Sequence, residues 1–173
     1  PGAQGEQGEQ GVQGPQGVPG PPGAQGEQGP QGVPGTTPTS IFGSLYGQPS
    51  TFVPAGGTID FITAGPTSGM TADPVTNSIT VNSAGVYEVN FSLTDRVSNS
   101  ASTFIRYTIH VNGVDDPKSS IYFSNSDPNE IWFNGSKTTI LILNSGDVLT
   151  VVASGIVGNN QYLNPALNVI KIS

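Results

Sequence analysis

Glycine stands at every third position from Gly2 to Gly35, twelve times without a miss. A strict Gly-X-Y period is the condition for a collagen triple helix, in which three chains crowd one axis and only a hydrogen side chain fits there. The segment is too rich in Gly and Pro for an α-helix and too poor in side-chain bulk for a packed core. A flexible linker has no reason to hold phase through twelve glycines. The period therefore predicts an oligomeric state, with this chain as one third of a homotrimer.

The repeat also predicts a weak rod. Gln fills most Y positions, and only Pro19, Pro22 and Pro34 stand there, so single chains are poorly pre-ordered towards polyproline II. Glu6, Glu9 and Glu27 have no Lys or Arg within the repeat to pair with. At about 3 Å per residue the segment spans on the order of 100 Å. Three identical chains can slip by whole triplets, so the alignment has to come from elsewhere in the chain. The sequence opens within the repeat at Pro1, and a longer collagenous segment is expected around it.

Beyond Gly35 the composition changes to Val, Ile, Thr, Ser, Asn and Phe, leaving about 135 residues, enough for one domain. The boundaries read as a stalk over 1–35, a neck over 36–41 and a head over 42–173. The head alternates β-type runs with turn signals and shows no helical periodicity. Its candidate strands are Gly43–Tyr46, Phe52–Val53, Thr58–Phe61, Ser78–Val81, Val86–Thr94, Thr103–Val111, Ser120–Phe123, Ile131–Phe133, Thr138–Leu143, Val148–Ala153 and Leu167–Ile172. In two of them the alternation is clean. Tyr87, Val89, Phe91 and Leu93 oppose Glu88, Asn90 and Ser92, and Ile105, Tyr107, Ile109 and Val111 oppose Phe104, Arg106, Thr108 and His110. Asn112-Gly113 signals a hairpin turn. The fold class is all-β, an antiparallel sandwich or jelly roll behind a collagen stalk.

Thr138–Leu143 and Val148–Val152 carry apolar residues on both faces, so the outer face is expected to be covered by a neighbouring subunit. Ile140, Ile142 and Val151 are the interface candidates there, with Trp132 and Phe133 as a second patch, since aromatics are enriched in buried interfaces; the alternative for these two is that they fill the core within the chain.

Other chemistry is sparse. The net charge is −7, with only five Lys and Arg, which leaves no electrostatic footprint for nucleic acid. No apolar run reaches the roughly 18–20 residues of a membrane span. Cysteine is absent, which excludes disulfides and thiolate sites and favours a bacterial or viral surface protein over a vertebrate extracellular one. His110, the one histidine, falls on the polar face of a strand without a signalled nucleophile, and no enzymatic activity is expected. Asp115, Asp116 and Asp127 are candidate Ca²⁺ ligands in acidic loops; the alternative is solvated turn residues. No other cofactor is indicated. Asn90 and Asn134 fit the N-glycosylation pattern, a match expected by chance in an Asn- and Ser-rich chain.

Several segments of the head resemble the C1q/TNF-like superfamily. They are Ser83-Ala84-Gly85-Val86-Tyr87-Glu88-Val89, then Tyr107-Thr108-Ile109-His110-Val111-Asn112-Gly113-Val114, then Asn144-Ser145-Gly146-Asp147-Val148-Leu149, and the closing Asn168-Val169-Ile170-Lys171-Ile172. Placed after a collagen stalk, they resemble in particular the BclA-type collagen-like exosporium glycoproteins of Bacillus spores. The resemblance implies a homotrimeric jelly-roll head that registers the stalk, and an extracellular place in the hair-like layer of the spore surface. Stalks of that type carry Gly-Pro-Thr triplets bearing O-linked glycans, whereas this one has no Thr before Thr36. Thr36, Thr37, Thr39 and Ser40 are the positions left for such glycans. A second reading of the same layout is a phage tail-fibre tip or adhesin whose head binds a surface glycan or receptor.

Overall fold

The computed structural model describes residues 1–33, 39–47, 51–52, 56–97, 103–127, 129–157 and 160–173. The chain divides into two units, Pro1–Thr37 and Pro38–Ser173. The stalk-to-neck boundary at Gly35, together with Thr36 and Thr37, lies outside the described residues, while Thr39 and Ser40 are exposed.

Residues 1–33 form no helix or strand, and every one is exposed. None of their glycines takes a positive φ. Beyond the adjacent residues, no heavy atom lies within 4 Å of the place a Cβ would occupy on any glycine from Gly2 to Gly32. Neither backbone conformation nor crowding within one chain therefore requires glycine here. A triple helix would place that requirement between chains.

In the second unit the strands are β1 (Phe42–Tyr46), β2 (Thr51–Phe52), β3 (Thr63–Ala64), β4 (Met70–Asp73), β5 (Ser78–Val81), β6 (Gly85–Val97), β7 (Thr103–Val111), β8 (Val114–Asp115), β9 (Ile121–Asn125), β10 (Ile131–Leu143), β11 (Val148–Val157) and β12 (Asn160–Lys171). One sheet, called A here, runs β10-β6-β12-β1-β3 with β2 on β12; the other, B, runs β4-β5-β11-β7-β8 with β9 on β7. All pairings are antiparallel. The one helical element among the described residues is a 3₁₀ turn, Pro117–Ser119.

The core lies between the sheets. Tyr87, Val89, Phe91 and Leu93 of β6 face Ile105, Tyr107 and Ile109 of β7, as the alternation predicts, and all are buried. Three buried tyrosines keep their hydroxyls satisfied, which burial requires. Tyr87 donates to the Ser83 carbonyl (2.6 Å), Tyr107 donates to Asp95 Oδ2 (3.1 Å), and Tyr162 accepts from the Asp60 backbone N–H (3.0 Å). The β7–β8 hairpin turns on Asn112 and Gly113 at φ 52° and 79°, the left-handed pair of a type I′ turn. The Asn112 side chain then ties this turn to the next, donating to Asp147 and accepting from the Val148 N–H.

Four sequence expectations change. Ile131–Phe133 and Thr138–Leu143 belong to a single strand, β10, that pairs with β6 along its whole length. Asn134 and Ser136 between them occupy the outer face, whereas Gly135 and Lys137 have the inward parity, with Gly135 under Phe123. A Cβ at Gly135 would lie 2.4 Å from Phe123 Cζ and 2.8 Å from Ile121 Cγ2. Thr58–Phe61 is no strand: it makes an isolated bridge at Thr58 to Val152, although Ile59 and Phe61 still enter the core. Val151 is fully buried inside the sandwich, because β11 points Leu149, Val151 and Ala153 inward, so it is not an interface residue. Phe133 also turns inward and stacks on Phe123, with centroids 5.5 Å apart. Its contact is within the chain. Gly135→Ala is expected to cost about 1–3 kcal/mol through overpacking, measured as a lower denaturant midpoint with an unchanged slope.

Candidate assembly surface

In sheet A, paired residues share a face, so the register assigns what β10, β6, β12 and β1 present to the outside. One row is Ile140, Glu88, Ile170 and Phe42; the next is Ile142 with Val86, whose carbonyl accepts from the Ile172 N–H at 2.8 Å. Ile140, Ile142, Ile170 and Ile172 are all exposed, Ile142 at 84%. A shallow cleft of about 310 Å³ opens beside this strip, lined by Phe42, Gly43, Ser44, Pro66, Asn168 and Ile170. Glu88 is the one charged residue within these rows.

A polar band follows along the strands. Asn90 donates to Ser136 (3.2 Å) and Thr138 (2.9 Å), and Thr94 donates to Asn134 (2.6 Å). Both N-glycosylation matches therefore sit inside strands with their side-chain amides engaged. At the far end Trp132, Arg96, Gln161 and Phe52 form another row. The Arg96 guanidinium lies 5.9 Å from the Trp132 ring centroid and also binds Gln161 and Glu130. That hydrogen bond holds the Glu130 carboxyl below its ordinary value. Trp132 and Phe52 remain exposed.

Of the five interface candidates, Trp132, Ile140 and Ile142 are thus brought onto one outer face, while Phe133 and Val151 are inside. Ile170, Ile172, Val86, Phe42 and Phe52 were missed. The signal for the first two was present: Leu167–Ile172 has apolar residues at both parities, the same two-faced pattern as Thr138–Leu143.

The remaining candidates are dispersed. Asp115 binds Arg106 through both carboxylate oxygens (3.0 and 2.8 Å). Asp116 caps the 3₁₀ turn, and Asp127 accepts from the N–H and amide of Asn129. Asp115 pairs with His110 near the end of β7, and Asp127 follows Asn125, the partner of its first residue Thr103, so the two lie at opposite ends of one strand. Among the described residues no three His, Cys, Asp or Glu groups cluster as metal ligands would. His110 is engaged with the hairpin, its Nδ1 3.2 Å from the Gly113 carbonyl oxygen. Among the described residues no helix is long and apolar enough to cross a membrane.

The head fold matches the globular domain of zebrafish complement 1qA, with a TM-score of 0.56, 15% identity and coverage of 77% of this chain and 98% of that one. It matches equally the Eiger TNF of S. frugiperda, with a TM-score of 0.60, 16% identity and coverage of 78% and 93%. The head has a C1q/TNF-like jelly-roll fold. At these identities the likeness defines the fold alone. No family model matches the sequence, and no curated protein matches it.

Proposed function

We propose that the chain is a structural surface-filament protein, a homotrimer whose heads associate through the outer face of sheet A and align three stalks for winding. The observation that carries this reading is the strip Ile140, Ile142, Ile170 and Ile172, an apolar surface that a head on its own leaves in water. Association removes it from water, and the adjoining cleft can receive a partner's side chain. The glycine period supports the same count, since nothing within one chain requires it. Head association supplies the alignment that a Gln-rich repeat with few Y prolines lacks, and the triple helix then grows from that end.

The resemblance of the four head segments to BclA-type proteins supports a place in the hair-like layer of a spore's exosporium. Immunogold labelling of intact spores with an antibody against the head tests this. Label on the outermost filaments is expected, and label on phage particles instead would overturn the placement. The stalk has its own test. Gly17→Ala is expected to lower the melting temperature of the triple-helical circular-dichroism band while leaving the head's transition unchanged. An unchanged stalk transition would contradict a triple helix.

A further inference from the structure

The outer face of sheet B, remote in the register from the apolar strip, carries a second arrangement. Arg106 pairs with Tyr122 and Phe104 with Ser124, which places all four side chains on one surface. The Phe104 and Tyr122 rings lie 5.9 Å apart, inclined by 36°, and both are exposed, Tyr122 at 57%. Phe104 lies against Gly155 at the β11 bulge, where φ is +64° and a Cβ would come within 2.7 Å of its ring. The missing side chain is what lets the ring settle onto the sheet.

Arg106 is clamped beside these rings. Its Nε donates to Ser120 Oγ (2.9 Å), its Nη2 donates to both oxygens of Asp115, and its guanidinium sits 5.9 Å from the Tyr122 centroid. The carboxylate cancels the guanidinium charge, so the surface is close to neutral in a chain of net charge −7. β7, which carries Phe104 and Arg106, is hydrogen-bonded to β11 on one side and to β8 and β9 on the other, so its own backbone is closed to an added strand.

We propose that this face binds an uncharged pyranose unit of a glycan. The face combines flat exposed rings, a pre-oriented donor and acceptor pair, and surrounding hydroxyls, with the guanidinium and carboxylate charges paired. The C–H face of a pyranose packs on Phe104 and Tyr122, and vicinal hydroxyls donate to Asp115 and accept from Arg106. Ring stacking supplies contact area at little entropic cost, and the fixed fork supplies orientation. The inference is independent of the assembly reading, because it uses the opposite sheet.

The test is ligand-observed saturation-transfer NMR on the full chain, with methyl glucopyranoside, galactopyranoside and mannopyranoside as probes, alongside a Pro-rich (Gly-Pro-Pro) peptide. Saturation of at least one pyranoside is expected, with affinity falling about tenfold or more in Tyr122→Ala and in Arg106→Lys. Tyr122 is exposed, so its substitution should leave the circular-dichroism spectrum intact, and a control at Val114→Ala should bind as wild type. Three results would overturn the proposal: no pyranoside saturated at tens of millimolar, binding undiminished in both variants, or binding of the peptide alone.

Discussion

Ile142→Asp is expected to convert the proposed trimer to monomers at micromolar concentration. Ile142 is already 84% exposed in a single head, so the substitution costs that head little on folding. In the assembly it buries an unpaired carboxylate, a penalty of several kcal/mol for each of three copies. Sedimentation velocity should show the loss of the large species, with the head's β-type circular dichroism retained. The stalk's triple-helical band should vanish with it, because its register depends on the heads. Val114, exposed on sheet B, is the control. Val114→Asp should remain trimeric; if it dissociates as readily as Ile142→Asp, sheet A is the wrong face.

A second large effect lies in the core. Asp95 is fully buried between Phe133 and Tyr162 in the sheet register, with Oδ2 accepting from Tyr107 and Oδ1 without a partner. Desolvation, opposed by the Tyr107 hydrogen bond, pushes its pKa from an ordinary 3.8 up to about 7. The folded head therefore holds a proton that the unfolded chain releases near pH 4. Asp95's favourable contribution is complete below the unfolded value and is lost as pH rises through about 7, a swing of at most about 4 kcal/mol. Asp147, whose carboxyl is lowered chiefly by the Asn144 N–H, acts in the opposite sense: its contribution is present above its unfolded value and fades on acidification. Asp95→Asn keeps an acceptor for Tyr107 and removes the ionisation. Urea midpoints measured from pH 4 to pH 8 should fall with pH in the wild type and stay nearly flat in the variant, which should be the more stable of the two at pH 8. Parallel profiles would contradict a buried, proton-holding carboxyl.

The legible parts of this chain were those governed by short-range periodicity. The glycine count, the Tyr87-to-Leu93 and Ile105-to-Val111 faces and the Asn112-Gly113 turn each follow from residues adjacent in sequence. β10 was split in two because Asn134-Gly135-Ser136-Lys137 resembles a turn until Phe123, twelve residues earlier, is known to fill the space over Gly135. Val151 and Ile142 look alike in sequence, as aliphatics on strands apolar at both parities. Only the register separates them, placing Val151 opposite Ile109 in the core and Ile142 opposite Val86 outside. Asp95 was unreadable for the same reason. In sequence it resembles a solvated strand-end acid, and it is the packing of β7, β10 and β12 that removes its water.

The most direct test is the mass of the head without its stalk, residues 36–173, by sedimentation equilibrium over a micromolar range. The expected result is three times the mass of one head at every concentration, since in the proposed assembly the outer face of sheet A, and not the collagen repeat, holds the trimer together. A mass of one head throughout, with trimers forming only when residues 1–35 are present, would contradict it.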